Sequence, residues 1–144
     1  MRILSWLFGR PPPKATTAKL APSGNCDFEI VGESHYQDAL SAICGGKCED
    51  GHKHECIAVL IPEPSNPHDG NAIQVFVDRR RVGYLSRKHA ASVARELRLS
   101  RPPLGSLYCA AMIVGGWVRG SGNEGHFGVK LNMEWPIRIL APGS

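Results

Sequence analysis

The stretch Asn66-Pro67-His68-Asp69-Gly70-Asn71-Ala72-Ile73-Gln74-Val75-Phe76-Val77 decides how this chain is read. Proline fixes φ after Asn66, and glycine supplies conformational freedom after Asp69. The Asn and Asp side chains can bond nearby backbone amides, so the first half is turn chemistry. The second half is β-branched and aromatic, which predicts a strand. Short polar side chains therefore crowd the mouth of a strand, where a sheet can hold them rigidly for recognition.

Working outward, residues 71–78 and 81–85 form a hairpin around the arginines. Ser86 reads as the N-cap of a helix, with Ala90, Val93, Ala94 and Leu97 at i, i+3, i+4 and i+7. Ser100-Arg101-Pro102-Pro103 ends it. At about 100° per residue, Arg87, Lys88, Arg95 and Arg98 fall within roughly one 100° sector, off the apolar stripe, and make a continuous positive ridge. Upstream, residues 27–32 alternate as a first strand, and residues 36–44 predict a helix stopped by Gly45-Gly46. Residues 55–61 form a buried strand ended by Pro62 and Pro64. Downstream, residues 107–118 form an apolar strand bent at Gly115-Gly116, residues 127–133 alternate again, and 137–140 give a short terminal strand. The expectation is a mainly β chain (α+β by count): a small OB-like antiparallel β-barrel of about six strands with two short helices.

Charge is segregated. Residues 24–69 carry nine acids against two bases, a net of −7, while residues 79–101 carry eight bases against one acid, a net of +7. A polyanion would settle on the basic half, although the same charges also suit a solvated helix face and an arginine-rich turn. Five cysteines, an odd number in 144 residues, and an apolar N-terminal stretch too short for a signal peptide or a bilayer span predict a cytoplasmic, reducing setting with free thiols. Residues 1–25 read as a flexible tail, because Pro11-Pro12-Pro13 cannot join a helix or a sheet interior. The hexamer at its head, Ile3-Leu4-Ser5-Trp6-Leu7-Phe8, suits docking on a protein partner or a membrane surface, or folding back on its own domain. The globular domain is expected over residues 26–141.

The two segments Asn66–Val75 and Arg80-Arg81-Val82-Gly83-Tyr84-Leu85-Ser86-Arg87 together resemble the HIRAN domain, and the likeness extends from Phe28 to Leu131. That family is best known at the N-termini of SWI/SNF-type DNA translocases that remodel stalled replication forks, and its best-described member captures the 3′ end of single-stranded DNA. The resemblance implies a non-catalytic module that recognises single-stranded or frayed 3′ ends in DNA repair or replication-fork processing.

It also implies a contact set. Ser34 and His35 fall at the family's first binding segment, where the DNA-binding example carries a phosphate-binding arginine and an aromatic. His68 stands where tyrosine is more usual, and an imidazole can still stack on a base. Asp69 would accept hydrogen bonds from a terminal 3′-hydroxyl and repel a phosphate. Asn66 is counted with His68 and Asp69 among the DNA-contacting residues of that segment, Tyr84 and Arg87 belong to the third segment, and Phe127 corresponds to a stacking aromatic. Lys88 and Arg95 extend the cationic ridge. With no arginine at Ser34, Arg87 or another cation has to supply the phosphate contact. Each residue also has a plainer reading: Asp69 and Asn71 as turn holders, Tyr84 and Phe127 as core aromatics. The competing function is a protein-interaction adaptor that uses the N-terminal hexamer and the same cleft.

Cys44, Cys48, His52, His54 and Cys56 supply enough soft ligands for zinc within thirteen residues, but lack the second separated pair of a usual zinc module. The family resemblance implies no metal, so no cofactor is expected, with Cys44, Cys48, His52 and Cys56 the alternative ligand set. No nucleophile elbow, phosphate loop or paired carboxylates appear, so the chain is not expected to be an enzyme.

Overall fold

In the computed structural model, residues 16–141 are described. They form β1 (Thr17–Lys19), β2 (Phe28–Glu29), a 3-10 turn (Glu33–His35), α1 (Gln37–Cys44), β3 (His52–Pro62), β4 (Ile73–Val77) and β5 (Arg80–Tyr84). Then come α2 (Arg87–Leu99), β6 (Ser106–Gly115), β7 (Val118–Arg119), β8 (Asn123–Glu124) and β9 (Phe127–Leu131). Six strands run antiparallel in the order β2-β9-β6-β3-β4-β5, and the sheet curls into a small OB-like barrel.

The two ends of that order meet. The Val31 amide donates to the Tyr84 carbonyl at 2.8 Å, and the Tyr84 amide returns a bond to the Val31 carbonyl at 2.9 Å. Gly83 permits this closure, because a Cβ there would lie 2.7 Å from the Val31 carbonyl oxygen. Inside, alternate residues of each long strand interlock: Leu60 on β3, Ile73 and Val75 on β4, Leu107 and Ile113 on β6, and Val129 and Leu131 on β9 are all buried. The apolar stripe of α2, Ala90, Val93, Ala94 and Leu97, is buried in the same core. Ser86 caps that helix by accepting from the His89 amide at 3.4 Å.

Several expected boundaries move. Residues 17–21 are not tail: β1 pairs parallel with residues 106–108 of β6, and Leu20 and Ala21 are buried. The cause is an open edge, since β9 covers β6 only from Ala111 onward and leaves its start free to take β1. The first strand shrinks to Phe28–Glu29. Beyond it, side chains stand in for a strand along β9: the Gln37 amide clamps the Phe127 backbone at 2.8 and 2.9 Å, and a Glu33 carboxylate oxygen accepts from the Val129 amide at 3.2 Å. β6 stops at Gly115, where two glycines with positive φ turn the chain. The expected last strand reduces to a single bridge between Leu20 and Ile139. The apolar hexamer at residues 3–8 lies outside the described residues. All five cysteines are free thiols, and among the described residues no helix is long and apolar enough to cross a membrane.

Candidate nucleic-acid interface

The loop at residues 66–71 is built by its own side chains. Asn66 Oδ1 accepts from the amides of His68 at 2.9 Å and Asp69 at 3.0 Å, and Asp69 Oδ1 accepts from the Asn71 amide at 2.9 Å. These are the Asx turns that the Asn-Pro and Asp-Gly pairs predict. The loop is tied to α2 at two points: Arg87 Nη2 donates to the His68 carbonyl at 3.1 Å, and Arg98 Nη1 approaches Asn71 Oδ1 at 3.4 Å. His68 and Asn71 are exposed beside the basic ridge, and Asp69 is half-buried.

On its other flank the loop reaches a polar cluster on the outer face of β3, β4 and β5. Asn66 Nδ2 donates to Glu63 Oε1 at 2.6 Å, and the Tyr84 hydroxyl donates to the same oxygen at 2.8 Å. Arg81 Nη1 lies 3.0 Å from Glu63 Oε2 and 2.9 Å from both Gln74 Oε1 and the Tyr84 hydroxyl oxygen. The Arg81 guanidinium also lies 5.5 Å from the centroids of the Tyr36 and Tyr84 rings. The hydrogen bond from Asn66, then that from Tyr84, together with the Arg81 charge, hold the Glu63 carboxyl below its ordinary range. Burial and the bond to Glu63 push the Tyr84 phenol up to about 12.

A β-bulge makes this cluster possible. Phe76 pairs with Arg81 but Val75 pairs with Gly83, so Val82 is an extra residue in β5. The insertion resets the alternation and puts Arg81 and Tyr84, three apart, on one face. Strict alternation would have sent them to opposite faces, and for that reason Arg81, Glu63 and Tyr36 escape a sequence reading. The arginine run itself is the signal that could have flagged Arg81.

Most of the expected contact residues converge. Ser34 and His35 are exposed on the 3-10 turn, which packs against β5 and β9 and delivers Tyr36 to Arg81. Asn66, His68, Asp69, Tyr84 and Arg87 follow around the same end of the barrel. Lys88 and Arg95 are exposed further along α2, with Arg95 about 12 Å from Arg87 along the helix axis. Arg81 is balanced by Glu63, whereas among the described residues none of Arg87, Lys88, Arg95 and Arg98 has a carboxylate partner. The uncompensated positive charge of the site is therefore that of α2.

Phe127 does not belong to this set. It is 2% exposed, its ring lies against Gly116, where a Cβ would overlap it, and it packs 5.3 Å from the His52 ring. It fills the core and presents no face to a base.

The alternative zinc ligands do not gather either. His52, His54 and Cys56 lie along the extended β3, so His52 and Cys56 are about 13 Å apart along the strand. Cys48 approaches His52 Nε2 at 3.8 Å, but among the described residues no three potential ligands converge. The Cys56 thiol is raised to about 11, first by burial.

A family model for the HIRAN domain matches residues 23–101, over half of the chain. The chain belongs to the HIRAN domain family. HIRAN domains are DNA-binding, which supports nucleic-acid binding by this chain. Neither a curated protein nor a solved structure matches it. The matched region of this HIRAN domain contains the whole loop, the polar cluster and α2. The barrel itself needs β6 and β9, which follow the match.

Proposed function

We propose that this HIRAN domain is a non-catalytic, metal-independent module that captures single-stranded or frayed DNA 3′ ends in repair or replication-fork processing. The observation that carries the reading is the pinning of the Asn66–Asn71 loop against an unpaired cationic helix by the 3.1 Å bond from Arg87 to the His68 carbonyl. Phosphates lie along the ridge of Arg87, Lys88 and Arg95, each contact releasing counterions. Arg87 has further N–H donors for a bidentate phosphate contact and takes over from the arginine absent at Ser34. His68 is an exposed ring next to that path, and His35 is an exposed ring on the 3-10 turn packed against β5; both offer stacking faces. Asp69 brings a carboxylate into cationic surroundings, where it accepts a bond from a terminal hydroxyl and repels a terminal phosphate. Tyr84 and Arg81 are positioning residues that hold the loop through Glu63 and Asn66.

The test is fluorescence anisotropy on one oligonucleotide presented with a 3′-hydroxyl, with a 3′-phosphate and as a blunt duplex. Tightest binding to the 3′-hydroxyl single strand, with a steep salt dependence, is expected. Equal affinity for all three overturns end recognition.

A second reading, capture of a peptide by an adaptor, is favoured by an apolar groove of about 310 Å³ beside the loop, lined among others by Pro62, Pro64, Leu97, Pro103 and Leu104. Peptide binding there would show a shallow salt slope.

A further inference from the structure

β3 outruns its neighbour. Its pairing with β4 begins only at Ala58, opposite Val77, after which the chain turns away through Asp78 and Arg79. On its other side β3 pairs with β6 from His52 to Leu60. Among the described residues, the half from His52 to Ile57 therefore keeps one backbone edge open, with no backbone bond reaching it. Lys53, His54 and Glu55 are exposed, Ile57 is 54% exposed, and a groove of about 420 Å³ lined by Ile43, His54, Cys56, Ile57, Val77 and Asp78 flanks the strand. An open edge is a template for another strand, and proteins commonly blunt it with charge. Here the charges are of opposite sign and flank one residue.

We infer that this edge pairs with the same edge of a second copy of the chain, antiparallel and two-fold symmetric, centred on His54. Charge selects both the occupant and the register. In an isologous antiparallel pair centred on His54, Lys53 of each copy lies opposite Glu55 of the other, so two cross-strand ion pairs form on one face. Shifting the centre to Lys53 sets two lysines face to face, and shifting it to Glu55 sets two glutamates face to face. The favoured register also places Ile57 opposite Gly51 and His52 opposite Cys56 of the second copy. So short an edge buries less than a standard interface, and the dimer is weak and concentration-dependent. The inference is independent of DNA binding, because the loop and α2 take no part in it.

Sedimentation velocity on the full chain between about 1 µM and about 1 mM tests it. The wild type should pass from monomer to dimer over that range. Lys53→Glu and Glu55→Lys should each weaken association about tenfold or more, since each puts like charges opposite one another twice. Mixing the two single variants should restore a dimer, because a copy with acids at both positions then faces a copy with bases at both. Both positions are exposed, and melting curves of the single variants should match the wild type. A wild type that stays monomeric throughout overturns the inference. So do well-folded single variants that dimerise like the wild type, or a mixture of them that does not associate.

Discussion

Asp69→Asn separates two roles that the geometry gives one carboxylate. Asp69 Oδ1 accepts from the Asn71 amide at 2.9 Å, and an asparagine amide oxygen can accept the same bond, so the turn survives while the charge goes. Two unit charges at 4 Å interact by about 1 kcal/mol in bulk water and about 4 kcal/mol at an effective dielectric of about 20. Asp69 is half-buried in a surface loop, so removing its repulsion should gain a terminal phosphate about 1–2 kcal/mol at physiological salt. A hydrogen bond to a charged acceptor contributes about 1.5–3 kcal/mol and one to a neutral acceptor about 0.5–1.5, so a terminal hydroxyl should lose about 1 kcal/mol. Together these narrow the preference for hydroxyl over phosphate by about 2–3 kcal/mol, roughly 30- to 150-fold.

Asp69→Ala should narrow that preference as well. It also removes the turn bond, at a cost of about 1 kcal/mol, or about 3–5 °C in Tm for a domain of this size. The assay pairs anisotropy on 5′-labelled strands ending in 3′-hydroxyl or 3′-phosphate with thermal melts of the same three proteins. If Asp69→Asn keeps the wild-type end ratio while Asp69→Ala loses only stability, Asp69 is a turn holder and the reasoning fails. A wild type without end preference would move internal single-strand binding ahead.

Arg87→Ala combined with Arg95→Ala should lower the slope of log Kd against log salt by about one to two units, and an unchanged slope in a folded double variant would reduce the ridge to solubilising charge. The Tyr84 phenol is raised in the fold from its ordinary 10.0 to about 12, so the stability linked to it is fully present below pH 10 and is lost as pH climbs toward 12. Ultraviolet titration should then find one late tyrosine that vanishes in Tyr84→Phe, and a variant with the wild-type alkaline melting profile would contradict the assignment. Phe127→Ala should cost about 3–5 kcal/mol of stability and leave the DNA affinity of the folded protein unchanged, whereas a stacking residue would give the reverse. Chelation should shift Tm by no more than about a degree or two, and stoichiometric zinc with unfolding on its removal would overturn metal independence.

What could be read from the sequence was local. The hairpin, α2 with its Ser86 cap, and the Asx turns of residues 66–71 all depend on spacings of a few residues, and the structure holds each of them. Parallel pairing of β1 with β6 joins residues 17–19 to 106–108, and nothing in Thr17-Ala18-Lys19 announces a partner so distant. Phe127 misled for a different reason. Alternation gives it the same pattern as a half-exposed aromatic, and only the adjacent Gly116 leaves room for its ring inside. The four alternative zinc ligands are not gathered among the described residues, because ligands on an extended strand are spread along it, whereas a loop could fold them together.

The bulge at Val82 bears most directly on the proposed mechanism. By putting Arg81 on the face of Tyr84, it lets the cation neutralise Glu63. Glu63 is thereby withdrawn as a free anion, and its carboxylate becomes an anchor for Asn66, which in turn fixes the His68 and Asp69 amides. Without that pairing, a second free carboxylate would add its repulsion to that of Asp69 at the same part of the site. With it, Asp69 is left as the carboxylate of the loop that no cation neutralises among the described residues, beside a helix whose cations are equally unpaired. Attraction is then spread along α2 and repulsion confined to one point, the charge pattern that the proposed capture of an unphosphorylated 3′ end requires.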